Sequence, residues 1–111
     1  MSDCLFCKIV EGTIPAKLVY QDAFTIAFQD IQPQAPVHVL VVPRRHIPSL
    51  VELEGEIAQH LMRTINHVAK EQGLSESGYR VVTNVGPDAQ QSVPHLHWHV
   101  LGGRSLGWPP G

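Results

Sequence analysis

The sequence predicts an α+β fold: an antiparallel sheet of about five strands with one long helix and a short N-terminal helix. Three features predict this class, namely short stretches of alternating apolar and polar residues, one long stretch with helical periodicity, and short connections between strands. The chain has 111 residues, of which 43% are hydrophobic, and its formal net charge is −2. These values are typical of one soluble globular domain, which we expect to span residues 1–111.

Local signals place the elements along the chain. The predicted elements, in order, are a helix at residues 4–11, strands at 17–20, 24–28 and 37–42, a long helix at 54–72, and strands at 79–83 and 94–101. Gly12 suits the left-handed C-cap of the first helix, and Gly73 ends the second. Pro43 closes the third strand because it has no amide hydrogen to donate, and Ser49 is a candidate cap for the turn before the long helix. The long helix carries an apolar stripe at helical spacing, formed by Ile57, Leu61, Ile65, Val68 and Ala69.

The last predicted strand carries histidines at three alternate positions, His95, His97 and His99. Successive side chains of a strand point to opposite faces, so the three imidazoles share one face, about 6.5–7 Å apart. The other face carries Leu96, Trp98 and Val100 and is predicted to pack on the core. A core seldom accommodates three imidazoles in register, because each ring needs partners for two nitrogens. The histidine face is therefore a candidate functional site.

Charge and hydropathy exclude two classes of partner. No cluster of lysine and arginine stands out beyond Arg44 and Arg45, so a nucleic-acid polymer is not expected as a partner. The longest apolar run, residues 37–42, is far too short to cross a bilayer, so no membrane association is expected. The first residues lack the cationic start and apolar run of a signal peptide, which makes the cytoplasm the expected location.

The two cysteines, Cys4 and Cys7, have the spacing of a Cys-x-x-Cys motif. In a reducing compartment this spacing favours a metal site or a redox pair over a structural disulfide. The redox interpretation is weak, because no strand precedes Cys4 as it would in a thioredoxin-like unit. We predict half of a tetrahedral zinc site, whose remaining ligands come from the seven histidines. The alternative is two small apolar residues on a short helix.

The segment that carries the three alternate histidines reads Gln91-Ser92-Val93-Pro94-His95-Leu96-His97-Trp98-His99-Val100-Leu101. It resembles the motif of the histidine-triad (HIT) superfamily of nucleotide hydrolases and transferases. The similarity covers nearly the whole chain and includes Ile14-Pro15-Ala16, Asp30-Ile31, His38, and Pro43 with His46. The C-terminal tail, residues 102–111, is similar to the Hint branch, the purine nucleoside phosphoramidases, in Gly102-Gly103-Arg104 and Trp108-Pro109-Pro110-Gly111. Two positions depart from that branch: glycine is usual in place of Gln90, and a bulky residue in place of Pro94.

The resemblance implies a single HIT domain that cleaves purine nucleoside 5′-phosphoramidates through a covalent nucleotidyl-histidine. His97 is the implied nucleophile, and a neutral imidazole suits that role because its ordinary pKa lies near 6.5. His38 and His99 are implied to hold its ring and fix which nitrogen is free, and His95 is the fourth catalytic candidate. Phosphate donors are expected from Ser92, Asn84 and the loop at residues 86–93, which includes Gln91 and Val93.

The resemblance also implies the remaining binding residues. Asp30 resembles the ribose-binding aspartate of the family. The apolar candidates for holding the purine are Phe6, Ile9, Phe28, Ile31 and Leu40. The resemblance completes the zinc site with Cys4, Cys7, His46 and His95. A His95 held by zinc cannot readily protonate a leaving amine, so its two roles compete.

Three alternative functions stay open: a dinucleoside polyphosphate hydrolase of the same superfamily, a zinc-dependent hydrolase, and a non-catalytic nucleotide-binding module. The zinc hydrolase needs a general base and an acidic partner near the metal, and no acidic residue follows Asp88. The binding module has no use for the four histidines of the motif. No carboxylate cluster suited to Mg²⁺ accompanies the triad, so we expect that catalysis needs no metal.

The C-terminal tail predicts a homodimer. It is rich in glycine and proline, which disfavour both a helix and a central strand. It also carries Leu106 and Trp108, whose burial would offset the entropy lost in ordering a terminus. The resemblance to the Hint branch implies a two-fold dimer in which the sheets join, the long helices pack together and Trp108 lies near the partner's pocket. The alternative is a tail folded back on its own subunit.

Overall fold

The computed structural model describes residues 3–111. Its elements, in chain order, are α1 (Leu5–Glu11), β1 (Leu18–Gln21), β2 (Thr25–Gln29), β3 (Val37–Pro43), a 3₁₀ turn (Leu50–Glu52), α2 (Glu56–Glu71), β4 (Tyr79–Val82) and β5 (Trp98–Gly102). The strands form one antiparallel sheet in the order β1-β2-β3-β5-β4. The predicted α+β class is therefore confirmed. Among the described residues, no helix has the length and apolar character needed to cross a membrane.

The helix α1 lies on one face of the sheet. Cys4 is its N-cap rather than its first residue, since the Cys4 Sγ accepts a hydrogen bond from the Cys7 amide at 3.4 Å. Gly12 ends the helix with a φ of 83°, as predicted. A seven-residue helix is not stable alone, so its position depends on packing. Its Phe6 packs into an apolar cluster of β2 and β3 side chains, formed by Ile26, Phe28, Leu40 and Val42.

The helix α2 covers the opposite face of the sheet and begins and ends close to the predicted positions. Its buried residues confirm the apolar stripe and are Leu61, Thr64, Ile65, Val68 and Ala69. The polar member of this stripe, Thr64, has its hydroxyl oxygen 2.6 Å from that of Thr25 in β2. The predicted cap before the helix is present, because the Ser49 hydroxyl accepts from the Val51 amide at 3.2 Å.

The histidine-rich strand is shorter than predicted. β5 begins at Trp98, so His95 and His97 precede the strand and only His99 lies within it. The alternation of faces nevertheless persists through the extended segment. Leu96 and Val100 belong to the core under α2, whereas His97 and His99 line a pocket on the α1 side. The prediction of one apolar face and one histidine face is thus confirmed, but the ladder is not continuous.

The register between β3 and β5 explains where the ladder stops. Val41 pairs with Trp98, so further pairing would bring Leu96 opposite Pro43. Proline has no amide hydrogen, and the ladder therefore loses a donor at that point. The Leu96 amide instead donates to the carbonyl of Ile47 at 2.6 Å, which ties the histidine segment to the loop that follows β3.

Candidate active site and metal cluster

A pocket of about 400 Å³ lies between α1 and the sheet. Its apolar walls come from α1, the segment that follows it, and β2 and β3, and include Leu5, Phe6, Ile9, Ile14, Phe28, Ile31 and Leu40. Its polar lining includes Asp30, Ser92, His97 and His99. An apolar pocket with a few converging polar groups is the usual form of a small-molecule site.

The ring of His97 has a defined tautomer. Its Nδ1 lies 2.8 Å from the carbonyl oxygen of His95, and a carbonyl oxygen only accepts hydrogen bonds. The proton therefore sits on Nδ1, and Nε2 keeps a free lone pair. The family resemblance implied that His38 and His99 would fix this choice. The structure assigns it to a main-chain carbonyl two residues away, because the ring folds back on its own backbone.

His38 and His99 form a hydrogen-bonded pair beside the nucleophile candidate. The Gln34 amide donates to the His38 Nδ1 at 3.0 Å, so the proton of a neutral His38 sits on Nε2. That Nε2 lies 2.9 Å from the His99 Nδ1 and 3.4 Å from a carboxylate oxygen of Asp30. His99 accepts on Nδ1 and must carry its own proton on Nε2. The rings of His97 and His99 meet edge to face, with centroids 5.1 Å apart.

Burial keeps this pair of histidines neutral. Burial is the largest cause that lowers the pKa of His99 to about 4; the neighbouring His97 and His38 act in the same direction, and Asp30 opposes them. Burial also lowers the pKa of His38, again against the attraction of Asp30. At neutral pH His99 is therefore a hydrogen-bond donor in the pocket, not an acid that holds an extra proton.

A second cluster lies behind the pocket and could hold a metal ion. The His95 Nδ1 is 3.3 Å from the Cys4 Sγ and 3.6 Å from the Cys7 Sγ, and the His46 Nδ1 is 3.3 Å from the Cys7 Sγ. All four ligand atoms lie within 4.8 Å of one another. Separations of about 3.3–3.8 Å are the edges of a tetrahedron whose ligands stand about 2.0–2.3 Å from a central ion. Two thiols and two imidazoles form a donor set suited to such an ion.

The second nitrogen of His95 supports this arrangement. Its Nε2 donates to the carbonyl oxygen of Pro43 at 2.9 Å, which leaves the lone pair on Nδ1, facing the thiols. The ring is fully buried, and the part of the pocket lining drawn from residues 3–111 does not include it. The His95 ring thus faces the two cysteines and lies apart from the described lining of the pocket.

Asp30, His38 and His99 form another group whose ligand atoms converge within 4.8 Å. The hydrogen bond from the Gln34 amide, however, puts the His38 proton on the nitrogen that a metal would need. Metal binding there would require that proton to leave and the Gln34 amide to lose its acceptor. The group is better described as a hydrogen-bonded relay. This weakens the zinc-hydrolase alternative.

The predicted binding residues divide into two sets. One set lines the pocket and includes Asp30, Ile31, Phe6, Leu40 and Ser92. Among the described residues, the same lining does not include Asn84, Gln91, Val93 or Trp108.

The residues outside the pocket have other contacts. The Gln91 side chain donates to the carbonyls of Pro48 and Val93 and accepts from the Gly86 amide, so it braces the loop instead of facing the pocket. Val93 packs beside the α1 cluster. Trp108 remains 81% exposed.

Sequence reasoning missed two residues that support the histidines. The Gln34 amide sets the His38 tautomer, and the Thr83 hydroxyl donates to the His97 carbonyl at 2.8 Å. A main-chain donor leaves no trace in residue type, so no signal pointed to Gln34. For Thr83 the sequence held a weak signal, because this residue ends the predicted strand that precedes the histidine segment.

Known proteins are similar to this chain in sequence and in fold. The model of the HIT domain matches residues 11–106. The chain belongs to the HIT family. An uncharacterised HIT-like protein of Synechococcus elongatus is 50% identical, over 98% of this chain and 97% of that protein.

Two solved structures extend the comparison. A HIT family hydrolase from Legionella pneumophila has a TM-score of 0.95 and 45% identity, over 98% of this chain and 100% of that one. A histidine triad nucleotide-binding protein from Candida albicans has a TM-score of 0.86 and 34% identity, over 96% of this chain and 83% of that one. The HIT fold thus extends over nearly the whole of this chain.

Proposed function

We propose that this HIT protein hydrolyses purine nucleoside 5′-phosphoramidates through a nucleotidyl intermediate on His97. The observation that carries the proposal is the hydrogen bond from the His97 Nδ1 to the His95 carbonyl, which leaves the nucleophilic lone pair on Nε2. The similarity to a hydrolase and to a nucleotide-binding protein supports the reaction class. The preference for a purine and a P–N bond rests on the Hint-like ending of the sequence.

The reaction divides into two displacements at phosphorus. The His97 Nε2 attacks the α-phosphorus, a P–N bond to histidine forms, and the P–N bond to the amine breaks. The amine leaves with the bonding electrons and takes a proton from solvent, since His99 is neutral and serves as a donor to a phosphate oxygen. Water then attacks the phosphorus, releases the nucleoside monophosphate, loses a proton to solvent and restores the free Nε2. No step in this scheme needs a metal.

The pocket supplies the binding energy and orientation. Its aromatic and aliphatic walls suit a purine, and Phe6 meets the His97 ring edge to face at 5.0 Å, which fixes the ring beside those walls. Asp30 has one oxygen that accepts from the Gln32 amide at 2.8 Å and still has lone pairs for ribose hydroxyls. Ser92 also lines the pocket and is the side-chain donor proposed for the phosphate.

A panel assay tests the proposal. Adenosine and guanosine 5′-phosphoramidates and a dinucleoside polyphosphate are offered to the native protein, to His97→Ala and to His67→Ala. His67 is an exposed histidine of α2 and serves as the matched control. We expect phosphoramidate turnover to fall by about 10³-fold or more in His97→Ala and to persist in the control. Near-native turnover in His97→Ala would refute the nucleophile, and a preference for the polyphosphate would favour the other branch of the superfamily.

We propose that the cysteine cluster binds a structural zinc ion through Cys4, Cys7, His46 and His95. The ion would fix α1 against the loop after β3 and against the histidine segment, three parts of the chain that are distant in sequence. Elemental analysis of protein purified without added metal measures the occupancy. We expect close to one zinc per chain, and a large loss in Cys7→Ser. Substantially less than one zinc, unchanged by the substitution, would reject the site.

We also propose a two-fold homodimer in the cytoplasm. β4 is an edge strand whose Tyr79 and Val81 are exposed, and Trp108 is the most exposed aromatic side chain of the described residues. Pairing of these surfaces would cover them. In the single subunit Arg80 donates to the carbonyls of Leu106 and Gly107, so the tail starts from a fixed position beside β4.

Sedimentation measures the oligomeric state, and a monomer would contradict the proposal. Deletion of residues 105–111 tests whether the tail shapes the partner's pocket. We expect the truncated dimer to lose selectivity among leaving groups. Unchanged selectivity would mean that the tail does not shape the pocket of the partner subunit.

A further inference from the structure

The main chain of Gln34 is held between the C-terminal tail and a histidine of the relay. Its carbonyl oxygen accepts two hydrogen bonds from Arg104, from Nη2 at 2.8 Å and from Nε at 3.3 Å. Its amide donates to the His38 Nδ1 at 3.0 Å. One residue of the loop between β2 and β3 thus connects the first charged residue of the tail to the histidine pair.

The close approach of the tail to this loop is built into the sequence. Gly103 has a φ of 89°, and a Cβ added there would lie 2.9 Å from the Pro36 Cβ. The tail therefore passes directly over the loop before Arg104 turns its planar guanidinium onto the Gln34 carbonyl. A third contact, from the Arg104 Nη1 to the Ser105 carbonyl at 2.9 Å, fixes the guanidinium itself.

The direction of the Gln34 amide decides which His38 nitrogen is protonated. With that donor on Nδ1, the proton sits on Nε2 and points at the His99 Nδ1. His99 must then carry its proton on Nε2. If the His38 proton moved to Nδ1, the His38 Nε2 would become an acceptor, and His99 would have to donate from Nδ1. The His99 Nε2 would lose its proton, and the pocket would lose a donor.

We propose that Arg104 is a positioning residue for this relay: by holding the Gln34 carbonyl it fixes the main chain on both sides of the Gln34 Cα, and the amide so directed selects the Nε2-protonated tautomers of His38 and His99. Within residues 3–111, the hydrogen bonds of the Arg104 side chain go to Gln34 and Ser105, and neither residue lines the pocket beside the nucleophile. Its effect on the histidines passes through the main chain of Gln34. The consequence for catalysis rests on the proposed phosphoramidase function, whereas the consequence for the histidine protons does not.

Nitrogen-15 NMR of the histidine side chains tests the tautomers directly. The full-length protein is compared with Arg104→Met, which keeps the length of the side chain, and with Arg104→Lys, which keeps the charge but loses the planar fork. Arg80→Met is the matched control, because Arg80 also donates to carbonyls of the tail, and these belong to Leu106 and Gly107 instead of Gln34. In the native protein and the control, we expect a single His38 tautomer, protonated on Nε2. In Arg104→Met we expect a second tautomer, protonated on Nδ1, and in Arg104→Lys a smaller population of that second tautomer.

Kinetics provide the second measurement. We expect kcat for an adenosine phosphoramidate to fall about five- to tenfold in Arg104→Met with little change in KM, the size expected for one hydrogen bond lost from the network. Should Arg104→Met fail to fold, Arg104→Lys carries both measurements. An unchanged His38 tautomer in a folded Arg104 variant would overturn the proposal, as would an equal change in Arg80→Met. If the native protein had no phosphoramidase activity but Arg104→Met still shifted the His38 tautomer, the proposed function would be refuted and the positioning role of Arg104 would stand.

Discussion

Acidification should destabilise the protein through His99. Burial and its two histidine neighbours lower its pKa from 6.5 to about 4. Between these values the unfolded chain takes up a proton that the native state refuses, so the free energy of unfolding falls as the pH falls. The stabilisation is complete above the unfolded pKa. It is lost progressively between the unfolded pKa and the folded one, and the loss is complete below the folded pKa.

The size of this effect follows from the two pKa values. One pKa unit corresponds to about 1.4 kcal/mol, so about 1.4 kcal/mol is lost by pH 5.5 and about 3 kcal/mol by pH 4. Urea unfolding between pH 8 and pH 5 measures the slope in the native protein and in His99→Gln, whose side chain does not titrate. We expect the native protein to lose about 1–2 kcal/mol more than the variant over this range.

Direct titration of His99 by NMR accompanies the unfolding series. A native His99 that titrates near 6.5 would refute the reasoning, because the pocket would then not exclude the charge. Equal slopes in the native protein and His99→Gln would refute it independently. Both experiments use protein of known metal content, since the cysteine cluster has its own dependence on pH.

Three further changes test separate parts of the account. Asp30→Ala should raise KM for a ribonucleotide several-fold and affect a substrate without ribose hydroxyls much less; equal losses on both would remove its ribose role. Gln90→Gly should raise the free energy of unfolding by about 0.5–1 kcal/mol, since Gln90 has a φ of 58°, and a clear loss of stability would contradict this. Thr64→Val should cost about 0.5–1.5 kcal/mol, because the buried Thr25 hydroxyl loses the hydrogen bond from Thr64 but keeps the one that it donates to Asp22; Thr64→Ser should cost less, and both should keep native kcat.

The sequence predicted the fold class because its signals are local. Alternation, helical periodicity and the glycine caps depend on neighbouring residues, and all three survive in the structure. The start of β5 depends instead on which residue lies opposite Leu96. That residue is Pro43, more than fifty positions earlier, and no local pattern specifies the pairing.

The candidate site likewise has features that the sequence predicted and features that only the folded chain sets. The alternating histidines drew attention to His97 and His99 through residue type and spacing, whereas the role of Asp30 and the choice of His97 as nucleophile came from the family resemblance. The groups that set the histidine protons are main-chain atoms of His95 and Gln34, which every residue possesses. Only the folded chain brings them to the rings, so the tautomers could not be predicted from the sequence.

The most direct test of the central claim is the mass of the intact protein during turnover. The native protein is mixed with adenosine 5′-phosphoramidate in the presence of a chelator, quenched rapidly and compared with His97→Ala. We predict a transient adenylyl adduct on the native chain, mapped to His97 by fragmentation and lost in the variant. An adduct that persists in His97→Ala, or steady hydrolysis by the native protein with no adduct at any time, would contradict the account.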